Sequence, residues 1–204
     1  GQVSSSIKPD FARLSKQHGS DTARQVLKEG YRALAWIGDF IREEGIACDF
    51  RVTGRFHGAH TPRHYEKLGR RLNSHPDGPA LGAHLVPRSE QSSEISTDFY
   101  HGGLVFQNHA SLDPAAYHQG ILDRVLAAGV RVVSYCPALS IEALPRGAGF
   151  RIRTGRGTVE ARDVVVATGG YTGPLTPWQQ RRVIPIGSYI IATEDLGIER
   201  ASCL

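Results

Sequence analysis

Three groups of residues in this 204-residue chain have types and spacings that could do chemistry. The first is the small-residue run Ala167-Thr168-Gly169-Gly170, directly after the apolar stretch Asp163-Val164-Val165-Val166. A continuous Val run reads as a parallel strand buried on both faces, and the carboxyl end of such a strand is where open α/β sheets bind ligands. Glycines there let the backbone approach a bound group and tolerate positive φ. The same two glycines are equally compatible with the plain end of a core strand. The second group is His57-x-x-His60-x-x-x-His64. Zinc sites of the zincin type place two histidines one turn apart on a helix, whereas His57 and His60 fall on a predicted strand and turn, at an odd spacing that directs them to opposite faces. No metal is therefore expected, and a metal-dependent hydrolase is the least favoured reading. The third group is Cys48, Cys136 and Cys203. No base motif accompanies them, so they read as inert thiols.

The elements that must position these residues follow from hydrophobic periodicity. Ala23, Val26, Leu27, Leu34, Ile37 and Ile41 recur at three- and four-residue spacing, which predicts an amphipathic helix from Ser20 to Gly45. Ser20 or Asp21 can cap it, and Gly45 can end it in a left-handed conformation. Cys48, Phe50 and Val52 alternate with polar residues as in a strand that turns at Gly54 into a second one through Phe56. Thr61-Pro62 opens a helix to about Leu72, with proline at the first position, where its missing donor costs nothing. From Asn73 to Tyr100 the pattern dissolves into a loop-like region.

The second half is more regular. Leu112-Asp113-Pro114 caps a helix carrying Tyr117, Ile121, Leu122, Val125 and Leu126 to Gly129. Val130 to Tyr135 alternates as a strand. Three short strands follow, Leu139 to Leu144, Phe150 to Thr154 and Thr158 to Ala161, the last two joined as a hairpin through Gly155-Arg156-Gly157.

Composition narrows the function classes. With 24 Lys+Arg against 20 Asp+Glu the chain is mildly basic. Its only basic pairs, Arg70-Arg71 and Arg181-Arg182, form no stripe of the kind nucleic-acid binding needs, so no nucleic acid is expected. No apolar run is long enough to span a membrane. An odd, scattered set of three cysteines suits a reducing compartment, and a cytoplasmic location is expected. The chain has no methionine and opens Gly-Gln-Val-Ser, so it reads as an internal piece of a longer protein.

The order of elements from Gly102 to Gly173 resembles the FAD-dependent amine and amino-acid oxidases, the D-amino-acid oxidase-like (DAO) flavoproteins. Gly102-Gly103 with Leu112-Asp113-Pro114 is similar to that family's Gly-Gly and Leu-Asp-Pro pattern. Gly129-Val130 with Cys136-Pro137-Ala138 resembles its strand reaching the adenine. Gly157 to Thr168 resembles its Gly-x-Val-x-Ala-x-x-Val-Val-x-Ala-Thr-Gly segment. Gly1-Gln2-Val3-Ser4 is similar to the tail of the flavin-packing loop of gamma-glutamylputrescine oxidase-like members. Two features depart from the pattern. No Gly-x-Gly-x-x-Gly fingerprint is present, since Gly155-x-Gly157-x-x-Glu160 runs from one strand into another. The part that would follow Thr193-Glu194 to complete the flavin site is also missing.

The resemblance implies an α/β fold: part of a Rossmann-like FAD-binding domain with a three-stranded meander, and part of a mixed-sheet, α+β substrate domain. Residues 1–8 would be a flavin-facing loop, 9–100 part of the substrate domain, 101–173 part of the FAD-binding domain, and 174–204 a return to the substrate domain, with Tyr189 to Thr193 as a strand. It implies FAD as cofactor, held by Gly1, Gln2, Val3, Pro137, Ala138, Ala167, Thr168, Gly169 and Gly170. Arg55, Tyr100 and His101 would line the substrate side, the substrate would be a small amine or amino acid, and the missing N- and C-terminal parts of the same protein would complete the site. The rival expectation is a non-catalytic fragment or binding domain that cannot hold FAD alone.

Overall fold

Asp10 starts the first helix by accepting the Arg13 N–H at 3.1 Å, which satisfies one of the donors a helix N-terminus leaves open. The computed structural model describes residues 1–75, 82–187 and 194–201. Helix α1 (Phe11–His18) ends at Gly19, with φ +82°, and α2 (Ser20–Glu43) begins directly after it. The periodicity finds α2 but not α1, because α1 is eight residues long and buries only Leu14. Leu14, Ala23 and Leu27 form one apolar cluster, edged by Ile7, Phe11 and Val26. Gly30 lets the N-terminal segment lie flat on α2: a Cβ there would stand 2.6 Å from the Ser5 carbonyl oxygen and 2.8 Å from the Ile7 side chain.

Two small antiparallel sheets follow. Strands β1 (Gln2–Val3), β2 (Arg51–Val52) and β6 (Ala110–Ser111) form one, in the order β1-β6-β2. Strands β3 (Arg55–Gly58), β4 (Ala83–Val86) and β5 (Gly103–Phe106) form the other, in the order β3-β5-β4. The chain turns between β2 and β3 at Gly54, φ +73°, where a turn is expected. Cys48 and Phe50 do not extend β2; they pack with Ile41 and Ile46 instead. Helix α3 (Pro62–Asn73) starts at Thr61, whose hydroxyl accepts the His64 N–H at 3.1 Å. It lays Leu68 on Ala59, Ala83 and Leu104 to make a second cluster.

The region expected to be loop-like holds more structure than its composition indicates. Strand β4 forms because β5 supplies its hydrogen-bond partners, and a 3₁₀ helix (Arg88–Ser93) is fixed by Gln91. The buried Gln91 side chain accepts the Gly102 N–H at 3.0 Å and donates to the Thr97 carbonyl. The Pro76–Pro79 turn cluster lies outside the described residues.

Helix α4 (Pro114–Ala127) is capped as expected: the Asp113 carboxylate accepts the Ala115 and Ala116 N–H groups at 2.9 and 3.0 Å. Leu112, Ala116, Tyr117 and Ile121 pack against the Ile41, Ile46 and Cys48 cluster. These elements belong to one compact unit, Gly1–Val130 with the described residues from Leu196 on.

The second unit, Arg131–Asp195, is built on a meander of β7 (Ala138–Ala143), β8 (Phe150–Thr154) and β9 (Gly157–Ala161). The meander and its Gly155-Arg156 hairpin agree with the sequence reading, and Arg151 on β8 pairs with Glu160 on β9 at 2.7 Å. Two expected strands do not form. Val130 to Tyr135 is irregular, and so is Asp163 to Ala167, with Val165 88% exposed. A parallel strand needs neighbours to take its N–H and C=O groups on both sides. All strand pairings among the described residues are antiparallel, and none reaches these two runs. The fold class is α/β, with helices α5 (Pro177–Gln180) and α6 (Gly197–Ala201) completing the described elements. The strand expected over Tyr189 to Thr193 lies outside the described residues.

His109 joins the first unit's two sheets. It is 3% exposed, its ring stacks on Phe106 at 4.6 Å, and its Nε2 lies 3.3 Å from the Ser5 hydroxyl. Its carbonyl accepts the Gly54 N–H at 2.9 Å. Its buried Nδ1 has no hydrogen-bond partner among the described residues. Burial, reinforced by the Arg55 charge, holds its pKa below that of a free histidine.

Two outcomes follow from these contacts. Asp113→Ala is expected to lower stability by about 1 kcal/mol, seen as a reduced Tm in a thermal melt, with Asp113→Asn keeping most of it. The depressed His109 pKa means that the unfolded chain takes up the proton first. Its contribution is therefore full above about pH 6.5 and is lost as the pH falls further toward the folded value. Melts between about pH 7 and pH 5 should show a shallower pH dependence for His109→Gln than for the wild type.

Candidate functional site

In the first unit, the candidate residues Gly1, Gln2 and Val3 are anchored by β6. Gln2 and Val3 pair with Ser111 and Ala110, the Gly1 amino group donates to the Leu112 carbonyl, and the Leu112 N–H donates to the Gly1 carbonyl at 2.9 Å. Because β6 is the central strand, β1 is an edge whose other side has no strand partner among the described residues.

Arg55, Tyr100 and His101 do not form one constellation. Successive residues of a strand point to opposite faces. Arg55 sits opposite Phe106 on the face that packs on α3, its guanidinium 5.6 Å from the Phe106 ring centre. Phe56 and Gly58 lie on the other face, and there Tyr100 packs: its ring meets Phe56 edge-on at 6.0 Å and fills the place a side chain at Gly58 would take. His101 donates its backbone N–H to the Ala59 carbonyl, and its Nδ1 stands 3.5 Å from Arg88 Nη1.

Tyr100 belongs to an aromatic and imidazole cluster that the sequence reading missed. Its ring lies 5.5 Å from His60 and 5.2 Å from the exposed Phe99, and His60 stacks on His64 at 5.9 Å. His57 also reaches His64, edge-on at 5.7 Å, so the two histidines expected to diverge share a neighbour. They do so because β3 stops at Gly58 and the chain turns into α3. Burial first, then the charges of Arg55, His64, Arg71 and His60, hold the His57 pKa below its ordinary value. Among the described residues no three His, Cys, Asp or Glu side chains are grouped to hold a metal ion.

In the second unit, Pro137 and Ala138 stand at the start of β7, with Ala138 paired to Thr154. Ala167, Thr168, Gly169 and Gly170 form an exposed turn. Gly169 has φ +54°, the Tyr171 N–H donates to the Thr168 carbonyl at 3.0 Å, and the Thr168 and Thr172 hydroxyls meet at 2.7 Å. A Cβ added at Gly169 or Gly170 would meet nothing within 4 Å. The turn is thus closed by its own hydroxyls while its glycine backbone faces open space. Among the described residues no helix is long and apolar enough to cross a membrane.

The family profile described as FAD dependent oxidoreductase (DAO) matches residues 2–202. Among curated relatives, a probable oxidoreductase OrdL of Haemophilus influenzae is 23% identical over 200 residues, covering 96% of this chain and 46% of that protein. The gamma-glutamylputrescine oxidoreductase of Escherichia coli K12 is 26% identical over 214 residues, covering all of this chain and 47% of that protein. The chain therefore spans about half the length of these relatives. Glycine oxidase from Geobacillus kaustophilus shares the fold with a TM-score of 0.64 at 18% identity, over 87% of this chain and 46% of that one. An L-amino acid deaminase from Proteus myxofaciens does so with a TM-score of 0.59 at 18% identity, over 82% and 36%. Matched along nearly its whole length by the family profile, the chain belongs to the DAO family of FAD-dependent oxidoreductases.

Proposed function

We propose that the protein oxidises a small amine or amino acid with FAD as its electron acceptor, and that residues 1–204 supply part of both the cofactor site and the substrate domain. The single observation that carries this reading is the family match over residues 2–202. The glycine turn supports the cofactor: backbone at Gly169 and Gly170 is unobstructed, as a close-lying flavin nucleotide requires. The edge strand β1 supports it as well, since Gly1, Gln2 and Val3 are held in place yet keep one backbone side unpaired.

In this reading Gly1–Val3 and, separately, Pro137, Ala138 and Ala167 to Gly170 hold the cofactor. Residues 9–100 and 174–204 belong to the substrate domain and residues 101–173 to the FAD-binding domain. The flavin, when bound, supplies the two-electron acceptor for the substrate C–H bond. In this reading Tyr100 offers the substrate a hydroxyl and His101 offers an imidazole beside Arg88, whereas Arg55, on the sheet face opposite Tyr100, offers a cation only to a group bound on that other face. The free thiols Cys48 and Cys136 fit a cytoplasmic setting. A second reading, that residues 1–204 alone hold no FAD, is favoured by the exposure of Val165 in a run whose composition calls for burial.

The full-length protein is expected to purify yellow and to lose its flavin absorbance when an amine or amino acid is added without oxygen. A panel of glycine, L-amino acids and gamma-glutamylputrescine samples the substrates in the names of the relatives. Gly170→Val should weaken FAD retention at least tenfold, since a branched side chain would fill the open space over the turn. A colourless full-length protein that takes up no added FAD would overturn the proposal. Uptake of FAD by residues 1–204 alone would remove the second reading.

A further inference from the structure

A partly open cleft of about 340 Å³ is lined in the first unit by the N-terminal segment, α1 and α2 together with α3 and β5. That volume is within the range of small-molecule sites, roughly 300–1,000 Å³. Its floor is apolar, made by Leu72, Leu104 and Phe106, and Phe11 and Leu27 continue it up one wall. The wall is firmly seated, because the Ser5–Ile7 segment packs into the notch at Gly30. The rim is cationic. Lys67, Arg70 and Arg71 are spaced three and four residues apart, which puts them on one face of α3, and all three line the cavity.

Among the described residues these charges are not consumed by neighbouring carboxylates. Arg70 stands 3.5 Å from the exposed Glu66, an ion pair of little net strength. Lys67 and Arg71 have no ion-pair partner among the described residues. Among the described residues the only carboxylate on the lining is that of Asp10, which is engaged in capping α1. An apolar floor under two cations with no ion-pair partner among the described residues matches a ligand with an apolar body and one anionic end. An arginine fork and a lysine ammonium together suit a carboxylate, through charge-assisted hydrogen bonds.

We propose that this cavity is a binding site for a small organic carboxylate with an apolar body. The body lies on Leu72, Leu104 and Phe106, and the carboxylate lies between Lys67 and Arg71. The site does not depend on the proposed flavin chemistry, because its lining comes entirely from the first unit and includes none of the residues assigned to FAD.

The test is calorimetric titration with octanoate, octanol and octylammonium, with no flavin or amine substrate added. Octanoate is expected to bind once per chain, at least tenfold more tightly than octanol, and octylammonium more weakly than either. Raising the salt from about 0.05 to 0.5 M should weaken octanoate and leave octanol unchanged. The double variant Lys67→Gln/Arg71→Gln changes two exposed side chains, so the fold should persist. It should erase the preference for octanoate while keeping the affinity for octanol. Equal binding of octanoate and octanol, an unchanged preference in the double variant, or no binding of any probe would each overturn the proposal, whatever the outcome for FAD.

Discussion

One stretch of chain, Gly103 to Ser111, is the hydrogen-bonding partner of every other strand in the first unit. Its first half, β5, is the middle strand between β3 and β4, and its last two residues, β6, are the middle strand between β1 and β2. Residues near the start of the chain pair with residues more than a hundred positions later, as Gln2 does with Ser111. Such pairings gain nothing until the loop between them has closed, so the two sheets must assemble together around this stretch. His109 sits between its two halves and ties them to Ser5 and Gly54 by side chain and carbonyl.

This arrangement explains which elements can be read from the sequence. Helices carry their own hydrogen bonds, so a local pattern suffices: α2, α3 and α4 appear where the spacing and the caps at Thr61 and Asp113 put them. The β7-β8-β9 meander is legible for the same reason, its partners being neighbours in sequence. Strand β4 is not, because Ala83–Val86 is a strand only by virtue of β5, twenty residues on. The two Val-rich runs are the converse error. Their β-branched residues favour extended chain, yet a strand is defined by partners, and neither run has one among the described residues.

The candidate site divides along the same line. The glycine turn after Val166 is visible from residue types alone, and among the described residues nothing lies within 4 Å of a Cβ built at Gly169 or Gly170. The separation of Arg55 from Tyr100 is not visible, since it depends on which sheet face α3 covers. The meeting of His57 with His64 depends on where β3 stops, which the pairing with Gly103 decides. In the sequence Arg70-Arg71 stands out only as a basic pair; that Lys67 joins it on one face follows from helix α3. That Lys67 and Arg71 have no ion-pair partner among the described residues, while Arg70 stands beside Glu66, is a property of the assembled unit.

The notch at Gly30 makes α2 more than a packing surface. A helix of 24 residues is about 36 Å long, and at Gly30 the N-terminal segment settles where a Cβ would collide with Ser5 and Ile7. Since Ser5 is fixed there and Ser111 fixes Gln2, the extended chain between them has no slack in which to slip by a residue. A single absent methyl group on a distant helix therefore acts as a gauge for the placement of β1, and a sequence change at residue 30 would be felt at residues 1–3 without touching them.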